Sequence, residues 1–185
     1  MIQNITRART VLPPSGWTAC GVQGRQLEPA DLDDLIALGR DDVTFAWERE
    51  RKSGDYYSGL LQFRLGHYWR YSFGVHGIWQ GSSMVGQVGL QVLSEDNDQI
   101  EFVVFLSQLY KGHGLGTCLA RYLMERCRSV GMTELFGVVR VDNPEGLALM
   151  ANLEAQALDR ILHFGQEAQV FRISLKNGGT CQPAS

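Results

Sequence analysis

One stretch of the sequence combines glycines with basic side chains at a spacing suited to binding a phosphate group. Residues 110–117 read Tyr-Lys-Gly-His-Gly-Leu-Gly-Thr, between an apolar run and a segment with helical periodicity. A helix start has several backbone N–H groups without a partner inside the helix, and the positive end of the helix dipole. Glycines let a phosphate reach these donors because they carry no Cβ atom. The stretch therefore predicts an anion site, with Lys111 and His113 at its rim.

Other interpretations of the same glycines stay open on composition alone. A tight glycine-rich turn that binds nothing would look similar. The P-loop pattern GxxxxGK[ST] is absent from the sequence. The Rossmann fingerprint also fits poorly, since the spacing is GxGxG and no acidic residue ends a second parallel strand at the right distance. A domain for some other phosphate-bearing ligand remains an alternative hypothesis.

Glu101 is the second residue with a suggestive position, because it is the only charge in the apolar run 100–106. Such a run is typical of a central strand covered on both faces. Burial raises the pKa of a carboxyl group toward the range in which it can exchange protons near neutral pH. Glu101 is therefore a candidate general base, and the alternatives are a position at a strand end or pairing with an arginine.

The elements around these residues predict an α/β (α+β) mixed sheet with helices on both faces. The predicted order is β-α-α-β-β-β-α-β-α-β-β. Strands are predicted at 22–27, 73–80, 84–93, 100–106, 135–141, 160–164 and 170–175. Helices are predicted to open at residue 28 and to cover 55–69, 114–130 and 144–153. We expect a loose N-terminal arm at 1–20, one domain at 21–175 and a flexible C-terminal tail at 176–185.

The composition of the 185 residues argues for an ordinary globular protein, with 44% hydrophobic and 20% charged residues. A net charge of −3 argues against nucleic-acid or anionic-membrane partners. No apolar run is long enough to span a membrane, and the first residues do not resemble a secretory signal. The cysteines, which are scattered, predict free thiols in a cytoplasmic protein, with no metal site and no disulfide framework. They are Cys20, Cys118, Cys127 and Cys181.

The glycine stretch resembles the acetyl-CoA signature of the GNAT superfamily, R/Q-x-x-G-x-G/A, with Lys111 in place of the usual Arg or Gln. Lysine keeps the charge but loses the planar bidentate geometry. Further segments, at 71–74, 84–90, 100–104 and 139–144, resemble the RimJ/RimL-type branch of that superfamily. Together the resemblance covers roughly residues 22–175.

The resemblance implies an N-acetyltransferase that uses acetyl-CoA, without a metal. It implies that backbone groups of Val104, Phe105 and Leu106 bind the pantetheine arm and that Asn143 bonds to it. It also assigns Glu101 the role of base. The residues implied to hold the pyrophosphate are those of the loop and the helix start. They are Lys111, Gly112, His113, Gly114, Leu115, Gly116 and Thr117.

Two departures from the family pattern suggest an alternative function. Met150 stands where many members have a tyrosine that protonates the leaving thiolate, and Gly146 stands where a serine is common. A methionine cannot donate a proton, so an acyl-CoA-binding sensor or weakly active regulatory relative is the alternative to an enzyme.

The acceptor implied by the resemblance is a primary amine, either a protein N-terminus or a small molecule. A homodimer is also consistent with the resemblance. His67 and His76 are expected to be structural. The aromatic residues Trp47, Trp69, Trp79 and Phe73 could line the acceptor groove, but core packing is the default expectation for them.

Overall fold

The computed structural model describes residues 3–40, 54–163 and 165–176 of the chain. The strands are β1 (Trp17–Ala19), β2 (Val22–Gln26), β3 (Val75–Gln80), β4 (Ser83–Ser94), β5 (Gln99–Leu106), β6 (Glu134–Arg140), β7 (Gln156–His163) and β8 (Gln166–Ser174). The helices are α1 (Gln3–Ala8), α2 (Leu32–Arg40), α3 (Gly54–Tyr71), α4 (Leu115–Ser129) and α5 (Pro144–Asn152). From β2 onward, this order is the one that the sequence predicts.

A single mixed sheet organises the described residues, with the strand order β1-β2-β3-β4-β5-β6-β8-β7. Neighbouring strands are antiparallel except for β5 and β6, which are parallel. A parallel pair needs a crossover connection, and here α4 provides it. The mixed sheet with helices on both faces is confirmed.

Two apolar clusters show which helices cover which face of the sheet. The larger cluster contains buried residues of α1, α4 and α5, such as Ile5, Leu119 and Met150. The smaller one contains residues of α2 and α3, such as Leu35 and Leu61. β5 contributes to both, because its successive side chains point to opposite faces. This central position explains why the strand is apolar apart from Gln99 and Glu101.

The amino-terminal region differs from the loose arm that the sequence predicts at 1–20. Ile5 and Val11 are buried in the larger cluster, and β1 extends the sheet. The start of α1 is fixed by Asp98, whose carboxylate accepts hydrogen bonds of 2.9, 2.7 and 3.0 Å from the N–H groups of residues 3–5. A six-residue helix is not stable alone. The prediction was wrong because the stabilising partners lie far along the chain.

Candidate active site

The glycine loop lies between the end of β5 and the start of α4. A short 3-10 turn, Gln108–Tyr110, leads into it, and α4 begins at Leu115. The Tyr110 hydroxyl donates a 2.9 Å hydrogen bond to the side-chain oxygen of Gln80, at the end of β3. This contact attaches the entrance of the loop to the sheet.

Two glycines of the loop have backbone conformations that other residues rarely adopt. Gly112 has φ +75° and Gly114, the residue that caps α4, has φ +81°. A Cβ atom at either position would meet nothing within 4 Å. Backbone conformation, and not crowding, is therefore what calls for glycine at these two positions.

The loop conformation leaves backbone donors at the start of α4. The first intrahelical bond is the 2.9 Å bond from the N–H of Cys118 to the carbonyl of Gly114. The N–H groups of residues 115–117 precede that bond and have no acceptor inside the helix. Gly112, His113 and Gly114 are exposed, so a ligand could approach these donors from solvent. The geometry fits an anion such as a pyrophosphate.

β5 and β6 separate next to this loop. β4 and β5 stay paired as far as Gly86 and Leu106, whereas the pairing of β5 with β6, in the described residues, is limited to Glu101 and Phe136. That pair lies near the start of both strands, so the strands open toward their carboxyl ends. Val104, Phe105 and Leu106 lie along the opening. In open α/β sheets, ligands bind at such carboxyl ends.

Glu101 lies at the closed end of this opening and is only 6% exposed. Its Oε2 accepts a 2.6 Å hydrogen bond from the side-chain amide of Gln91 in β4. The backbone N–H of Val138 in β6 also donates to it. Burial raises the pKa of Glu101, while Gln91, the charge of Arg64 and Val138 act in the opposite direction. The carboxyl of Glu101 is therefore buried, and Arg64 acts on it through its charge with the Gln91 side chain between the two.

Asn143 has a structural role in addition to its position at the end of β6. Its Oδ1 accepts a 3.0 Å hydrogen bond from the N–H of Gly146, which caps the start of α5. A Cβ atom at Gly146 would lie 2.7 Å from Val139 and 2.9 Å from the Asn143 amide nitrogen. Glycine therefore stands at position 146, where the resemblance leads one to expect serine, because α5 comes close to β6 there. The amide nitrogen of Asn143 keeps its capacity to donate to a ligand.

Met150 is buried beside the opening between β5 and β6. It is 3% exposed. A Cβ atom at Gly137 in β6 would lie 3.1 Å from both the Met150 sulfur and the Phe102 ring. The side chain therefore fills the space between these strands and α5. No proton donor stands at this position.

His67 and His76 each have partners that explain them structurally. His67 accepts a 2.9 Å bond from the Val92 N–H at Nε2, so its Nδ1, 3.0 Å from the Phe73 carbonyl, carries the proton. His76 accepts a 3.2 Å bond from the Trp17 indole N–H at Nδ1. Burial lowers the pKa of His76 to about 4. Both rings are neutral at neutral pH and connect elements of the fold.

The aromatic residues named from the sequence have different environments. Phe73 and Trp79 are buried in the two apolar clusters, as expected by default. Trp69 is 83% exposed, so the expectation of core packing is wrong for it. It lies on the outer side of α3, where no sheet residue covers it. Trp47 lies outside the described residues.

Cys20 and Cys118 differ from the prediction of free thiols, and Cys181 lies outside the described residues. Cys20 and Cys118 form a disulfide, with Cα atoms 6.1 Å apart and a sequence separation of 98. It joins the turn between β1 and β2 to the first turn of α4. The prediction was wrong because the two elements meet only in the folded chain. The disulfide also removes the argument, made from the cysteines, for a reducing compartment. Cys127 is a free thiol and is buried, as a small hydrophobic residue would be.

The described residues contain no cluster of three or more histidine, cysteine, aspartate or glutamate side chains that could hold a metal ion. No described helix is both long and apolar enough to cross a membrane.

Sequence analysis missed two residues near Glu101, namely Gln91 and Arg64. The guanidinium of Arg64, in α3, donates to the Gln91 side-chain oxygen, and Gln91 is directly opposite Glu101 in the sheet. A signal for Gln91 exists, since Gln87 and Gln91 are the two polar residues in the interior of an apolar and glycine-rich strand. The register that places it against Glu101 cannot be read from the sequence.

A parallel pair that opens beside a glycine-rich helix start defines an α/β fold with a site for a ligand that carries a phosphate or pyrophosphate group. Residues 25–156 match the family described as "Acetyltransferase (GNAT) domain". The chain therefore belongs to the GNAT acetyltransferase family and is an acetyl-CoA-dependent acyltransferase by class. No curated protein matches the sequence.

Solved structures with the same fold are distant in sequence. A candidate ribosomal-protein-serine acetyltransferase from Vibrio cholerae has a TM-score of 0.72 at 16% identity, covering 88% of this chain and 99% of that one. RimL, a ribosomal L7/L12 alpha-N-protein acetyltransferase solved with coenzyme A, has a TM-score of 0.68 at 14% identity, covering 87% and 96%. A candidate acetyltransferase from Salmonella typhimurium, solved with acetyl-CoA, has a TM-score of 0.60 at 14% identity, covering 88% and 99%. At these identities the likeness concerns the fold.

Proposed function

We propose that this chain transfers an acetyl group from acetyl-CoA to a primary amine by direct attack, with Glu101 as general base. The observation that carries the proposal is the buried carboxyl of Glu101 at the closed end of the β5–β6 opening, one strand length from the glycine loop. An amine bound in the opening would lie near both the base Glu101 and the acetyl-CoA held by the loop.

The binding roles follow the geometry of the site. The N–H groups at the start of α4, with Lys111, Gly112 and His113 beside them, would hold the pyrophosphate. Backbone groups of Val104, Phe105 and Leu106 would bind the pantetheine arm along the open edge of β5, and one N–H could polarise the thioester carbonyl. The amide nitrogen of Asn143 would donate to the arm from the other side of the opening.

The reaction is described by what the chain's own residues do. Acetyl-CoA supplies an acyl group on a good leaving group. Glu101 accepts a proton from the ammonium form of the acceptor, directly or through water, so that the neutral amine can form the C–N bond as the C–S bond breaks. Met150 has no proton to give, so the second proton, which the attacking nitrogen loses as the amide forms, passes to water or through water to the leaving thiolate.

The acceptor belongs to the class of primary amines, and two kinds are proposed. RimL is described as acting on a protein N-terminus, and its likeness to this chain supports a protein acceptor. A small-molecule amine is the other. A screen of N-terminal peptides and small amines distinguishes the two.

A second candidate function is an acyl-CoA-binding sensor, which Met150 favours. The place of the family's proton donor is filled by an apolar side chain that packs between β5, β6 and α5. Under this candidate the chain binds acyl-CoA tightly and releases no CoA in the presence of any amine.

The first test is thermal unfolding with and without acetyl-CoA, with ATP and NAD as controls. Binding to the native state alone stabilises it by about 2.7 kcal/mol at a ligand concentration of about one hundred times Kd. We expect a rise in Tm that is specific for acetyl-CoA. The absence of any rise at millimolar acetyl-CoA, or an equal rise with ATP, would contradict the assignment of the cofactor site.

A further inference from the structure

Arg64 reaches the candidate base through one intervening side chain. It lies on α3, and its Nη1 donates to the side-chain oxygen of Gln91. The amide nitrogen of Gln91 in turn donates to Glu101 at 2.6 Å. Gln91 and Glu101 are directly paired in the β4–β5 register, so the sheet itself fixes this approach.

The direction of these hydrogen bonds depends on Arg64. A guanidinium group only donates, so the Gln91 oxygen must face Arg64 and the Gln91 NH2 must face Glu101. An NH2 group can donate to a carboxylate but cannot accept from a protonated carboxyl. Without Arg64 the amide could rotate and present its oxygen to a neutral carboxylic acid. The Gln91 NH2 group donates more strongly to a carboxylate than to the carbonyl oxygen of a neutral acid, so the arrangement favours the ionised form of Glu101.

The charge of Arg64 also favours the ionised form of Glu101. Arg64 is the charged side chain that acts on it electrostatically, from α3, while β4 contributes the neutral Gln91 and β6 contributes the backbone of Val138. Tyr56 and the neutral His67, also on α3, interact with Arg64. Burial lowers the pKa of Arg64 to about 10, which leaves it charged at neutral pH.

Among the described residues, Glu101 is the acidic side chain whose charge acts on Arg64. Its Nε is buried without a hydrogen-bond partner in the described part of the chain. Burying a guanidinium with an unused donor costs free energy, and a nearby carboxylate offsets that cost. In the described part of the chain, Glu101 is therefore the carboxylate that compensates the buried charge of Arg64.

We propose that Arg64 and Gln91 are positioning residues, which favour the ionised form of Glu101 and hold its carboxyl group in place beside the β5–β6 opening, so that it can accept a proton at neutral pH. This inference rests on the proposed function for its catalytic meaning. The ionisation of Glu101 is a separate physical property, and it can be measured whether or not the chain turns over.

The test compares Arg64→Gln with Arg70→Gln. Arg70 lies on the same helix but is exposed and pairs with Glu95, so its replacement removes an equal charge away from Glu101. The titration of Glu101 is followed by NMR in protein labelled with ¹³C at the glutamate carboxyl, with the resonance assigned by Glu101→Gln. We expect Arg64→Gln to raise the midpoint of this titration by about one pH unit or more. Arg70→Gln should leave it unchanged.

The kinetic readout is the acid limb of the kcat/KM profile against pH. With Arg64→Gln this limb should move upward by about the same amount, which lowers kcat/KM about tenfold at pH values below the midpoint. Arg64→Lys, which keeps the charge and a donor for Gln91, should return part of the shift. Gln91→Leu, which removes the intervening amide, should raise the midpoint even if Arg64→Gln fails to fold.

The outcomes separate the two proposals. Equal Glu101 midpoints in wild type, Arg64→Gln and Gln91→Leu would overturn the positioning role, whatever the activity. If the Glu101 midpoint is raised in the variants, but the wild type binds acetyl-CoA and acetylates no amine, the effect of Arg64 on Glu101 is upheld and the proposed catalysis is contradicted.

Discussion

At the scale of single residues, the site depends on where particular atoms are missing or buried. Gly114 has a left-handed backbone conformation, although a Cβ atom there would meet no neighbouring atom. At Gly146, α5 comes so close to the preceding strand and loop that a Cβ atom would be too near their side chains. Glu101 is a carboxyl among apolar neighbours, with a donor from each adjacent strand. These residues act through backbone conformation, contact distance and burial, respectively.

The backbone requirement at Gly114 leads to a prediction with a matched control. Gly114→Ala should cost about 1–2 kcal/mol of stability, because an L-residue is strained in the left-handed region. We also expect the affinity for acetyl-CoA to fall, since relief of that strain would turn the first N–H groups of α4 away from the ligand. Urea unfolding and titration calorimetry measure the two effects.

Gly81→Ala is the control for this prediction. Gly81 lies in the β3–β4 turn with φ +61° and, like Gly114, has nothing within 4 Å of a Cβ atom. It should lose similar stability and keep its affinity for acetyl-CoA. Equal losses of affinity in both variants would mean that the loop conformation has no specific part in binding.

At the scale of elements, the disulfide connects two parts of the fold that the sheet alone does not join. Cys20 lies in the turn between β1 and β2, and Cys118 in the first turn of α4, immediately after the candidate phosphate donors. The covalent bond fixes the start of α4 relative to the amino-terminal edge of the sheet. It therefore bears on stability and on the position of the loop.

The disulfide predicts that stability depends on redox conditions. Closing a loop of this length is expected to stabilise the fold by about 2–4 kcal/mol, chiefly by restricting the unfolded chain. Reduction should therefore lower the midpoint of urea unfolding of the wild type. In Cys20→Ser, the midpoint should be low from the start and unaffected by reductant. A wild-type midpoint that is insensitive to reductant would show that the thiols are not paired.

At the scale of the whole molecule, much of the fold could be predicted from the sequence because its signals are local. The apolar run of β5, the periodicity of α4 and the asparagine-proline start of α5 each depend on neighbouring residues only. They give the correct element order and the correct position of the glycine loop. Exposed β7 gave a weaker signal, and its start at Gln156 was predicted four residues too late.

The parts that could not be predicted depend on contacts between distant residues. Asp98 caps α1 from more than ninety residues away, and Cys20 meets Cys118 only after the sheet has formed. The opening between β5 and β6 is visible only in the strand register. The contact of Arg64 with Gln91 has the same origin, because it needs both the register and the packing of α3.

The central claim is that a buried carboxyl at the β5–β6 opening serves as the base for acetyl transfer. The most direct measurement is the release of CoA from acetyl-CoA by wild type and Glu101→Gln, across a panel of N-terminal peptides and small amines, with acetyl-CoA affinity measured in parallel. We expect an unchanged affinity and a fall in kcat of roughly 10²–10⁴-fold at neutral pH. A variant that binds acetyl-CoA and turns over an amine as fast as wild type would contradict the claim.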